Sequence, residues 1–137
     1  MNMPIELTYA TCAELLATGE VGRVAVCTAD GPRIIPVNYT VVDDTVVFRT
    51  TPYSVLGMHA WNGRLAFEVD DLDPEHRSGW SVVATGRGTV VEDNAELRRI
   101  QSTAGPNPWA GGQRWLVIRL RWDDLTGRRI GPATMAV

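Results

Sequence analysis

The stretch with the densest set of usable groups is FRTTPYSVL at 48–56, where Arg49, Thr50, Thr51 and Ser54 surround Pro52. It reads as a strand running into a helix over about 52–61. Thr51 has the residue type of an N-cap, and Pro52 suits the first helical position because its φ is already fixed. A helix start leaves backbone N–H groups without helical partners. An anion lodged there gains those amides, the hydroxyls of Thr50 and Ser54, and the Arg49 guanidinium, which together make a phosphate-type site. The same residues also fit a plain capped helix beside a solvated arginine. A second feature is Pro36 inside an otherwise good strand, RIIPVNYTVV at 33–42. Proline cannot donate to a ladder, so Val37, Asn38 and Tyr39 lie at an edge able to hydrogen-bond a planar heterocycle, or at a simple bulge. A third is Trp80-Ser81, opening a long strand, where the indole stacks on an aromatic ligand or covers the end of a barrel.

Other chemistries lack their residues. There is no G-x-S-x-G or S-x-x-K nucleophile pattern, and the glycines of GRG at 86–88 lie within a strand, so they are not a phosphate loop. Cys12 and Cys27 have no metal-ligand spacing and read as structural thiols. His59 and His76 have no ligand partner nearby in sequence, so no metal site is expected. Thirteen cationic residues, all arginine, stand against sixteen acidic ones, for a net charge of −3. That balance opposes nucleic-acid binding as the main role, although Arg119, Arg121, Arg128 and Arg129 cluster late in the chain. The absence of lysine reads first as compositional bias, but it also leaves any bound phosphate to arginine. No apolar run approaches the roughly 18 residues of a membrane span, and MNMPIELTYA lacks a signal-peptide core. The expectation is a cytoplasmic protein of one domain over 1–137, with its core at about 12–131.

The elements that must position these groups follow from hydrophobic period. A helix is expected at 11–18, with Thr11 and Glu14 as its capping box and Gly19 as its stop. Strands follow at 21–28, 33–42 and 45–50, joined by the turns at 30–32 and 43–44, as an antiparallel meander. In 64–70, Leu65, Phe67 and Val69 face one way and Arg64, Glu68 and Asp70 the other. A polar loop at 72–79 leads to a strand at 80–92, where Gly86 and Gly88 permit a sharp bend. A helix opens at Asp93 with Glu96 as box partner and Leu97 and Ile100 buried; a loop at 103–112 carries Trp109. The last strand, 113–122, sets Leu116, Ile118, Leu120 and Trp122 on one face, opposite Gln113, Arg119 and Arg121. The fold class is mainly β (α+β): a six-stranded antiparallel split β-barrel with short helices in its connections.

GRVAV (22–26), IIPVNYTV (34–41), VVFRTTPYS (46–54), RLAFEVDDLDPEHRSGWSVVATGRG (64–88), NPWA (107–110) and TGRRI (126–130) carry a resemblance over nearly the whole chain. It is to the pyridoxamine 5′-phosphate oxidase-like, FMN-binding split-barrel family, in particular its small actinobacterial-type members. DDLDPEHRSGWSVV is the most specific segment. The resemblance implies a homodimer with two FMN molecules in clefts between subunits and hydride or electron transfer to a small-molecule substrate. It implies that Pro36, Val37, Asn38 and Tyr39 line the isoalloxazine, that Arg49, Thr50 and Ser54 hold the phosphate, and that Trp80, Ser81 and Val82 complete the site, from the partner subunit. The chain departs from the family's T-x-P-G-S-K-L at two positions: Tyr53 replaces the glycine and Val55 the lysine. Either Arg49 takes over the phosphate or cofactor binding is weak or lost. A related branch uses a deazaflavin coenzyme, and a non-catalytic dimer holding flavin or haem is the alternative outside enzymes. Five tryptophans in so small a domain fit an aromatic subunit interface or the filling of the barrel ends.

Overall fold

The structure, a computed structural model, describes residues 3–61, 63–102 and 116–131. The expected loop at 103–112, with Trp109, and Gln113 lie outside the described residues. The elements are β1 (Ile5–Glu6), α1 (Tyr9–Thr18), β2 (Val21–Thr28), β3 (Gly31–Val42), β4 (Thr45–Thr50), α2 (Val55–His59), β5 (Gly63–Asp73), β6 (Ser78–Val90), α3 (Asn94–Ser102) and β7 (Leu116–Ile130).

All strand pairs are antiparallel, and the order β7-β4-β3-β2-β5-β6 closes on itself through β6–β7. Six strands therefore form the barrel, as expected, but the described sheet has seven. β4 pairs with β7 only as far as Arg121, and β1 takes the free edge further along, setting Ile5 opposite Arg129 and Glu6 opposite Arg128. Two residues are too few to show alternation, so this strand left no mark in the sequence pattern.

Alternation sorts side chains between the barrel interior and the outer face of its wall. Val24, Val26, Tyr39, Val46, Phe48, Leu65, Phe67, Val69, Val82, Ala84, Ile118 and Leu120 form the inner core with Leu15 and Leu16 of α1. A smaller outer cluster packs α3 on the wall: Val42, Val47, Val91, Val117 and Ile100, with Leu97 half-buried beside them. Between Thr85 and Gly86 the β6–β7 register shifts by one residue, and a Cβ at Gly86 would strike the carbonyl of Arg121. The bend read from Gly86 and Gly88 is thus a β-bulge that needs glycine, because the opposing backbone approaches too closely for any side chain.

Several boundaries differ from the sequence expectation. α1 starts at Tyr9, two residues before the expected start, because Thr8 is its cap and accepts a hydrogen bond from the Thr11 amide at 3.2 Å. Thr11 and Glu14 therefore form no capping box. The loop at 72–79 shrinks to a four-residue turn, with Asp73 paired to Ser78, because Arg77 and Gly79 take positive φ and reverse the chain tightly. β7 runs on to Ile130, since pairing with β6 continues past the bulge. Asp93 does cap α3, accepting from the Glu96 amide at 3.1 Å.

Candidate functional site

The barrel wall parts between β3 and β4. β3 pairs with β2 throughout Gly31–Asn38, but its pairing with β4 begins only at Tyr39 opposite Phe48. Tyr39 donates its backbone N–H to the Glu20 carbonyl on the β2 side, at 3.1 Å. Amides alternate in direction along a strand, so the position of the missing Pro36 N–H faces away from β2, into the parting. The ladder thus loses nothing at Pro36, which accounts for a proline mid-strand. β4 meanwhile keeps pairing with β7, Arg49 opposite Val117 and Thr50 opposite Leu116.

Tyr39 and Phe48 both point into the core, so their neighbours Asn38 and Arg49 point to the outer face, as does Pro36. Three of the expected site residues therefore share one face at the parting. Val37 points inward against the core. Tyr39 is a core residue as well: 4% exposed, edge-on to Phe67 at 4.6 Å, its hydroxyl donating to the Leu16 carbonyl at 2.5 Å. Burial pushes its phenol up to about 12, against smaller opposing effects of the Gly19 backbone and the Arg23 charge. Asn38 donates its side-chain amide to the Glu20 carbonyl at 3.4 Å.

The turn after β4 is built differently from the expectation. The cap of α2 is Ser54, not Thr51, and the helix has five residues, with Pro52 in the preceding turn. The Ser54 hydroxyl accepts from the Gly57 amide at 3.0 Å and donates to the Thr51 carbonyl at 2.7 Å. Its 2.7 Å contact with the Thr50 hydroxyl must then be donated by Thr50. Both hydroxyl protons are committed within the turn, and Thr50 is 2% exposed on the inner side. Arg49, half-buried on the outer side, does not converge with them. The glycine at 57 is required, since a Cβ there would strike the Thr51 carbonyl.

Trp80 and Val82 are core side chains on β6, and Ser81 between them faces outward. Ser81 lines a hollow of about 360 Å³ with Glu6, Val83, Thr126 and Arg128. Two strands, β2 and β5, separate β3 from β6 in the sheet order. At ~4.8 Å per strand, Ser81 lies roughly 14 Å from Asn38 along the wall. Within one chain the two sets of residues do not meet. Between them Arg23 spans Glu68 (2.6 Å) and Asp70 (3.0 Å). Burial, then the neighbouring Asp70, holds the Glu68 carboxyl above its ordinary range despite Arg23, while the Arg23 guanidinium is held charged chiefly by Glu68.

Two features lay outside the sequence reading. An apolar groove of about 840 Å³ runs beside the turn, lined by Pro52, Gly57, Trp61, Leu97, Leu116 and Val117. The tight β5–β6 turn also gathers Asp73, Glu75 and His76, with ligand atoms within 4.8 Å of one another and His76 Nδ1 at 2.6 Å from Asp73. His76 therefore has an acidic neighbour, and its contact lowers the Asp73 carboxyl below the usual range. Of the tryptophans, Trp80 and Trp122 fill the core and Trp61 is half-exposed; Trp109 and Trp115 lie outside the described residues.

Comparison with known proteins locates this geometry. The profile of the pyridoxamine 5′-phosphate oxidase family matches residues 8–129. The uncharacterised protein Rv0080 of Mycobacterium tuberculosis is 36% identical over 131 residues, spanning 92% of this chain and 85% of its own. The FAD-binding protein of Mycobacterium smegmatis is 31% identical, covering 93% of this chain and 98% of its own, with a TM-score of 0.78. A Corynebacterium glutamicum structure assigned as a pyridoxamine 5′-phosphate oxidase shares the fold at 24% identity and a TM-score of 0.81, covering 95% and 100% of the two chains. By the profile match and the identity to its relatives, this split barrel belongs to the pyridoxamine 5′-phosphate oxidase-like family.

Proposed function

We propose that the chain binds a flavin nucleotide at the parting of β3 and β4 and acts as a cytoplasmic homodimeric oxidoreductase on a small molecule. The observation that carries this reading is the common outward direction of Pro36, Asn38 and Arg49 where the strands separate. Arg49 is the cation that β4 brings to that face, Arg23 beside Pro36 being engaged by Glu68 and Asp70, and its planar fork suits a phosphate. A strand edge lacking one donor at Pro36 leaves room for a flat heterocycle with its own polar rim. The FAD-binding relative at 31% identity supports a flavin here. FMN is the form that the sequence resemblance implies, with a deazaflavin as the second.

When bound, the isoalloxazine supplies the one- or two-electron transfer. The residues of this chain bind and orient it: Arg49 anchors a phosphate oxygen, and Pro36 and Asn38 set the floor of the cleft. If Ser81 belongs to the cleft, as the family resemblance implies, it comes from a second copy, since within one chain it is too distant; the dimer reading rests on that resemblance. Free thiols at Cys12 and Cys27 suit a reducing compartment. Among the described residues no helix is long and apolar enough to cross a membrane.

The test is a sedimentation run monitored at the visible flavin band, on protein incubated with FMN, FAD or a deazaflavin. The reading expects that absorbance to travel with a species of twice the chain mass. A monomer, or a visible band that stays behind the protein, contradicts it. The non-catalytic alternative is favoured by the committed hydroxyls of Thr50 and Ser54. It gains if bound flavin resists reduction by every nicotinamide or chemical donor tried.

A further inference from the structure

α3 covers the barrel wall over β4 and β7, but among the described residues neither hydrophobic cluster takes a side chain from the outer side of β2 or β5. Two register rows cross that uncovered side: Ile34–Ala25–Ala66–Thr85 and Pro36–Arg23–Glu68–Val83. Beyond them Asn38 stands opposite Val21, and Ser81 opposite Asp70. The middle of this face is small and half-buried, at Ala25, Ala66 and Val83, so another sheet can approach it closely.

β3 and β6 stand symmetrically about the β2–β5 seam. Each lies about one and a half strand spacings from it, roughly 7 Å. A two-fold axis laid along the seam, parallel to the strands, sets β6 of a second copy over β3 of the first. Such a rotation preserves height along the strands, so Ser81 of the partner subunit comes to lie over Asn38. The same operation sets Glu68 of the partner subunit over Arg23, and the reverse, which is an isologous pairing of opposite charges. The outer walls of two closed barrels are convex. They touch at the seam and diverge toward β3 and β6, which leaves two equivalent clefts.

The charge at the seam is unequal. Nη2 of Arg23 meets Glu68 at 2.6 Å and Asp70 at 3.0 Å, so two carboxylates share one guanidinium. Beside them β6 brings only Ser81 and Val83, and β3 only Pro36 and Asn38, none of which titrates. Arg128 of β7 lies beyond Ser81, opposite Glu6 of β1. A second copy of this cluster adds like charge and removes water, and both favour the protonated carboxyl. Burial and Asp70 already hold Glu68 above its ordinary range.

Resting on the dimer and cleft of the reading above, we propose that two copies pack face to face across the β2–β5 seam, and that Glu68 takes up a proton when they do. Ser81 of the partner subunit then completes the cleft at Asn38. Acid tightens the assembly and alkali loosens it, because the paired state binds more protons than the separate chains.

The experiment is sedimentation equilibrium of the full chain, with no flavin added, between pH 8 and pH 5.5. The dimer dissociation constant should fall by at least about 10-fold on acidification. Glu68→Gln, neutral at every pH, should dimerise tightly throughout and give a flat profile. Ala66→Glu adds bulk and like charge at the seam and should weaken the dimer by at least about 10-fold, whereas Thr89→Glu, exposed on β6 beyond the bulge, should leave it unchanged. All three side chains point outward, and a thermal melt checks that the variants fold. A wild-type dimer that ignores pH or weakens in acid overturns the inference, as does an unchanged slope in Glu68→Gln or an undiminished dimer in Ala66→Glu. In those cases a flavin-bearing dimer leaves the reading of the cleft standing. If wild type stays monomeric at every pH, with and without flavin, both fail together.

Discussion

Tyr39→Phe separates a core role from a cofactor role for the tyrosine of the PVNY segment. The substitution removes one hydroxyl from a site 4% exposed to solvent and leaves the ring's contact with Phe67 in place. The orphaned partner is the Leu16 carbonyl, in the last turn of α1, where carbonyls have no helical donor. A buried acceptor deprived of its donor costs about 1–2 kcal/mol. For a domain of this size that lowers Tm by about 4–8 °C. The same hydroxyl fixes an alkaline limb. Burial raises the folded phenol to about 12, whereas the unfolded phenol ionises at about 10. The folded state thus keeps a proton that the unfolded state releases. The contribution is complete below about pH 10 and drains away toward pH 12, at about 1.4 kcal/mol per pH unit. Urea titrations from pH 8 to 11.5 read both effects, with the m-value as a check on the reference state. Wild type should lose stability faster than Tyr39→Phe above pH 10. The reasoning is refuted if the neutral-pH midpoint is unchanged, or if flavin affinity collapses while stability holds.

Other positions give independent tests. Gly22→Ala drives a Cβ into the Phe67 ring, against Cζ and within 2.6 Å of Cε1, inside a fully buried cluster. It should cost about 1–3 kcal/mol by thermal or urea unfolding, and an unchanged Tm would mean the β2–β5 packing is looser than described. Asp70→Asn removes the carboxylate that helps to hold Glu68 above its ordinary range. Followed by NMR, the Glu68 carboxyl should titrate high in wild type and fall back in the variant; no change would assign the shift to burial alone. Because its folded value is raised, the contribution of Glu68 to stability is present at acid pH and is lost as pH rises through that value. Gly86→Ala opposes the Arg121 carbonyl across the bulge and should prevent accumulation of soluble protein, whereas a stable, unaltered variant would count against a closed barrel.

The barrel was legible because its strands alternate: Leu65, Phe67 and Val69 against Arg64, Glu68 and Asp70 left one arrangement open. The glycines of β6 announced the bulge for the same reason, since nothing else tolerates that backbone approach. What escaped were features set by partners distant in sequence. β1 exists because β7 outruns β4, and the 72–79 segment folds as a tight turn because Arg77 and Gly79 accept positive φ. At the candidate site, the segments were found but their faces were not. Pro36, Val37, Asn38 and Tyr39 cannot all face one ligand, because period two sends Val37 and Tyr39 inward, and the same rule buries Trp80 and Val82 around Ser81. The α2 cap moved from Thr51 to Ser54 because Ser54 can serve three hydrogen bonds at once.

The account turns on Arg49 as the phosphate anchor at the β3–β4 parting. The direct measurement is a flavin titration, followed by the change in the visible spectrum, of wild type and Arg49→Ala side by side. Removing a charge-assisted hydrogen bond at a half-buried site should weaken binding by about 10- to 100-fold and leave Tm nearly unchanged. Equal affinity in the two proteins, or no saturable binding by wild type, contradicts the account.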